Sequence, residues 1–105
     1  MYGLKNVVMN PNVALKAQED PVFSHSVFKK FVAFLDDDWG EVTAQEKDVN
    51  NKSLESGGFI FGLYSVRDQN SSDASIKIRI TAGPEDENHK RIVVIAFASP
   101  FAEVQ

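Results

Sequence analysis

Hydrophobic and polar positions follow a helical period through the first half of the chain and a period of two through the second. "LKNVVM" alternates and is rich in β-branched residues, which predicts a short strand over Leu4 to Val8. In "NPNVALKAQED", Asn10 stands as an N-cap and Pro11 at the first helical position, so a short helix is expected that ends before Asp20. Asp20 and Pro21 repeat the signal at the head of "DPVFSHSVFKKFVAFLDD". There Phe23, Val27, Phe31 and Phe34 fall three or four apart, with Phe28, Val32 and Leu35 widening the stripe, as in a core helix. In "TAQE", Thr43 can cap a third helix while Glu46 reaches back to the amide of the cap residue, a capping box. That helix should run to about Glu55, with Gly57 and Gly58 ending it. Its apolar face of Ala44, Val49 and Leu54 is thin, which places it at the surface.

"GFIFGLYSV", "ASIKIRITA" and "RIVVIAFAS" predict three strands, separated by the turns "RDQNSSDAS" and "GPEDENHKR". Ile76, Ile78 and Ile80 alternate with Lys77, Arg79 and Thr81, so the middle strand has one dry and one wet face. The expected fold class is α+β. An N-terminal short strand and three helices pack on a C-terminal three-stranded antiparallel meander, in a single domain over residues 1–105.

Composition narrows the function classes. At 105 residues, 43% hydrophobic and 25% charged, the chain can close one core. No apolar run approaches the roughly 20 residues that span a bilayer, so no membrane role is expected. "MYGLKNVVMN" lacks the pattern of a secretory signal, and cytoplasmic residence is expected. Without cysteine there is no disulfide, thiolate zinc site or thiol nucleophile. A net charge of −4 speaks against gripping nucleic acid directly and favours basic protein surfaces as partners.

The candidate chemistry is sparse. Asp36, Asp37 and Asp38 are adjacent, whereas a calcium loop alternates its ligands around a central glycine, so no metal is expected. His25 and His89 stand in dissimilar contexts with no nucleophile beside them. "SGGFIFG" has neither the spacing nor the strand-to-helix order of a phosphate loop, and no cofactor is expected. Phe59, Phe61 and Tyr64 could stack bases beside Lys77, Arg79 and Arg91, but the acidic balance favours a core role for these aromatics. The only Trp, Trp39, precedes Gly40 and is expected to fold back as a wedge between the Phe-rich helix and the sheet.

"FLDDDWGEVTAQEKDVNNKSLESGGFIFGLYSV" resembles a family of small, mostly uncharacterised proteins encoded on bacterial plasmids and phages, whose pattern begins G-D-W-G-[DE]-[LV]. Asp38, Trp39, Gly40, Glu41 and Val42 match that block, Glu46 and Asp48 approximate an acidic pair, and Asn51, Leu54, Gly57 or Gly58, and Tyr64 occupy the later positions. "GLKNVVMNPNVALKAQEDPVF" is similar to the family's first strand and helix. The chain departs downstream, with Arg79 where the family's K-I-W-I-I-T-E strand has Trp, and with an enlarged turn.

The resemblance implies a protein of mobile DNA, not an enzyme, acting in the cytoplasm of a bacterial host by binding and inhibiting a host protein. The expected partner is a nucleic-acid-handling defence nuclease, such as the RNA-guided nucleases blocked by anti-CRISPR proteins. The alternative is sequestration of a nucleotide signal used in defence. The expected partner-binding residues are Asp36, Asp37 and Glu41 on an acidic surface, and Lys77 and Arg79 on the sheet.

Overall fold

The computed structural model describes residues 3–71 and 73–98. Strand β1 (Gly3–Met9) is followed by helices α1 (Pro11–Glu19), α2 (Pro21–Leu35) and α3 (Ala44–Ser56). Strands β2 (Ile60–Val66), β3 (Ile76–Ala82) and β4 (Lys90–Phe97) complete the fold. The last expected strand reached Ser99, which lies outside the described residues.

The class is α+β, but the sheet is four-stranded and mixed, in the order β1-β4-β3-β2. β2 pairs with β3, and β3 with β4, antiparallel. The expected three-stranded arrangement is therefore incomplete, because β1 joins the sheet parallel to β4, with Val7 opposite Val93 and Met9 opposite Ile95. Parallel neighbours need a long crossover. The three helices and two strands between β1 and β4 supply it.

Ile60, Tyr64, Val66, Ile78, Ile80, Val93 and Ile95 are buried on one sheet face against Phe23, Val27 and Phe34 of α2 and Val13 of α1. Two expected members of the α2 stripe are missing from this core. Phe28 and Val32 are exposed, since at ~100° per residue they lie roughly 100° and 140° around the helix from Val27. The expected face of α3 is also corrected. Val49 is exposed and Leu54 half-buried, and the helix turns the polar Asn50 and Ser53 inward.

The helix ends follow the local signals. Asp20 accepts from Phe23 N–H at 2.9 Å as the N-cap of α2, and Pro21 takes the first turn. At α3 both halves of the capping box are present, Glu46 N–H to Thr43 Oγ1 and Thr43 N–H to Glu46 Oε1. Gly57 ends that helix in the left-handed region. Asn10 precedes α1 but its side chain does not cap the helix.

Candidate functional site

The segment around Trp39 closes the β2 edge of the sheet. Asp36 N–H bonds to carbonyls of the last turn of α2, and Asp38 N–H to Ala33 O at 2.9 Å. Between them Asp37 takes a positive φ of 61°. Asp38 Oδ1 then accepts from Gly40 N–H at 3.2 Å. Leu63 N–H donates to Trp39 O, and Glu41 N–H to Leu63 O, so Gly40 lies beside β2 as a one-residue parallel bridge. A Cβ on Gly40 would fall 2.2 Å from Leu63 O and within 3 Å of the Tyr64 ring. The Tyr64 hydroxyl donates to Asp38 O at 2.7 Å, and its ring lies across Gly62, where no side chain would fit. Trp39 is 4% exposed in the core, as the wedge expectation required.

In the second turn of α3, Asn50 treats the same edge as if it were another strand. Its amide donates to Phe61 O at 2.7 Å and its Oδ1 accepts from Phe61 N–H at 3.0 Å. The unpaired groups of an edge strand invite association, and here those of Phe61 and Leu63 are taken within the chain.

Glu41 was expected to share an acidic surface with Asp36 and Asp37. It is drawn elsewhere, because its carboxylate accepts from Lys77 Nζ and from Ser65 Oγ, and Lys77 also donates to Ser65. The Lys77 ammonium and the Ser65 hydroxyl hold the Glu41 carboxyl below its ordinary pKa. Asp36 and Asp37 remain exposed at the end of α2. Glu41 stays exposed while paired in this way, an interaction that the sequence did not reveal.

Lys77, Glu41 and Ser65 mark one end of the sheet face turned away from the helices. Strand alternation puts Phe61, Leu63 and Ser65 of β2, Lys77, Arg79 and Thr81 of β3, Ile92 and Val94 of β4, and Val8 of β1 on this face. Ile92 and Val8 are exposed; Phe61, Leu63, Thr81 and Val94 are half-buried. Arg79 stands exposed between Leu63 and Ala96, with no ion pair among the described residues. The structure thus brings together Lys77, Arg79 and Glu41, and leaves Asp36 and Asp37 in the preceding turn.

The aromatic expectation divides. Tyr64 is buried, but Phe59 and Phe61 have the opposite parity, and Phe59 is 66% exposed. With Gln45, Glu46, Val49 and Asn50 these two line an open cleft of about 490 Å³ between α3 and β2. Arg91, grouped with Lys77 and Arg79 in the sequence, lies on the other face and is buried. It donates to Ser53 O, Gly58 O and Gly83 O, fastening the end of α3 to the turn before β4. The alternation of β3 already put Lys77, Arg79 and Thr81 on a wet face, but β2 is apolar at both parities and its period cannot choose a side.

His25 is exposed, and the imidazole of His89, also exposed, lies 3.4 Å from Glu85. Among the described residues no group of three or more His, Asp or Glu could hold a metal, and no helix is long and apolar enough to cross a membrane. Comparison with protein-family models, with curated proteins and with solved structures gave no match to this chain.

Proposed function

We propose that this chain is a non-catalytic inhibitor that binds a larger protein through the open face of its sheet. Its target in this reading is a nucleic-acid-handling defence nuclease of a bacterial host, the role of an anti-CRISPR protein. The observation that carries the binding part is the face itself, where Arg79, with no ion pair among the described residues, stands between Leu63 and Ala96 on the face that also carries apolar Val94, Ile92 and Val8. Exposed apolar surface of this kind marks contact sites, and an arginine among apolar residues is a frequent anchor. The choice of target rests on the resemblance of the Asp38–Val42 segment to proteins of mobile DNA. The exposed Asp36 and Asp37 at the end of α2 supply negative charge that steers the protein toward a basic nucleic-acid channel.

The test is a cleavage assay with purified, guide-loaded RNA-guided nuclease and its target DNA. The proposal expects a stable complex and loss of cleavage as the protein is added. Full cleavage with no complex would reject the nuclease target. A nucleotide released when the purified protein is heat-denatured would support sequestration of a defence signal instead.

A further inference from the structure

The two edges of the sheet are finished differently. On β2 the outward groups of Phe61 and Leu63 are taken by Asn50 and by the Trp39–Glu41 segment. On β1, Asn10 N–H donates to Ile95 O at 2.9 Å, and the register sets Val7 against Val93 and Met9 against Ile95. The backbone groups of Asn6, Val8 and Asn10 therefore face β4, and those of Val7 and Met9 face away. Among the described residues the Val7 N–H is met only by the side chain of its neighbour Asn6, at 2.9 Å. No described strand lies beyond β1, and Val7, Val8 and Met9 are all exposed.

We propose that this edge joins two copies of the chain, β1 pairing antiparallel with β1 of the partner subunit about a two-fold axis through Val8. In this register Val7 lies opposite Met9 of the partner subunit, and Met9 opposite the partner's Val7. The outward N–H and C=O groups then satisfy one another in two reciprocal pairs of hydrogen bonds. Val8 meets its own equivalent at the axis, extending the open face across the dimer.

A second copy is the occupant that the charges fit. An isologous contact requires a patch complementary to itself. Lys5 is the only charged side chain of β1, and it lies 3.8 Å from Asp86 of its own chain. In the proposed register the two lysines fall at opposite ends of the paired stretch, so no like charges meet. The pairing also removes a bare apolar edge that would otherwise promote open-ended association.

The test is sedimentation equilibrium of the full chain from about 1 µM to about 1 mM, the range in which a small interface associates. The expected mass rises to twice 11.7 kDa. Val7→Pro removes an outward donor without touching the ladder to β4, and Val8→Lys sets two cations face to face at the axis. Both variants should remain monomeric with an unchanged far-ultraviolet circular dichroism spectrum. If Val7→Pro fails to fold, Val8→Lys decides alone. Hydrogen exchange gives an independent reading, since the Met9 amide should be protected in the concentrated wild type and exchange rapidly in Val8→Lys. A wild type monomeric throughout, or a dimer that survives Val8→Lys, would overturn the proposal.

Discussion

Gly40 and Gly57 both adopt positive φ, 73° and 81°, yet their surroundings predict different consequences of adding one methyl group. At Gly57 the nearest atom to a new Cβ is the flexible end of Glu85, at 3.0 Å. Gly57→Ala should therefore cost about 1–2 kcal/mol, the ordinary penalty of a left-handed residue with a Cβ. At Gly40 the neighbour is backbone, Leu63 O at 2.2 Å, with the Tyr64 ring behind it. Gly40→Ala must also displace the bridge to β2, and its loss should clearly exceed that of Gly57→Ala. Urea denaturation of the two variants checks this, and equal losses would mean that the bridge contributes little. The need for glycine at Gly40 could be anticipated from its place after Trp39. The atom that imposes it could not, because Leu63 is far away in sequence.

Among the elements, α3 owes its start to a local signal and its position to a distant one. Thr43→Ala removes one half of the capping box and should lower stability by roughly 1 kcal/mol. An unchanged denaturation midpoint would contradict the assignment. That cap was readable because donor and acceptor lie three residues apart. The seating of α3 by Asn50 was not, since a single polar residue in a polar helix carries no period.

The turn after β2 is held in the same distant way. Asp68 accepts from Lys16 Nζ at 2.9 Å, and Asp20 from Gln69 N–H. The Lys16 ammonium and neighbouring amides lower the Asp68 pKa from 3.8, and Asp68 raises that of Lys16 from 10.5. The unfolded chain therefore takes up the Asp68 proton first as pH falls. Its contribution is complete above about pH 5 and lost as pH drops through and below 3.8. The Lys16 contribution is present below 10.5 and lost as pH rises beyond it. Thermal melts of Asp68→Asn should show a lower midpoint than the wild type at pH 7, with the two curves converging in acid. Parallel curves down to pH 2 would show that the pair does not stabilise the fold.

For the molecule as a whole, the α+β class and the helix boundaries were readable in the sequence because caps, prolines and periods act over a few residues. The mixed sheet was not, because the pairing of β1 with β4 joins Val7 to Val93. No local pattern distinguishes a fourth strand from an isolated one. The face of β3 was legible from its alternation, but that of β2 was hidden, as Phe61 and Leu63 look like core residues until Ile60 and Tyr64 are seen to fill the core. Asp36, Asp37 and Glu41 are all exposed, and Glu41 is paired with Lys77.

In the function proposed above, the open sheet face, rather than the acidic turn, supplies the binding energy for a protein partner. The most direct test is the affinity of a guide-loaded RNA-guided nuclease for four proteins at equal salt. These are the wild type, Arg79→Glu, Ile92→Glu, and the double variant Asp36→Ser with Asp37→Asn, in which Asn tolerates the positive φ. Both sheet-face variants should bind at least about tenfold more weakly, roughly 1.4 kcal/mol, with unchanged melting temperatures. The turn variant should lose mainly association rate, and mostly at low salt. Sheet-face variants that bind as tightly as the wild type, beside a turn variant that no longer binds, would contradict the account.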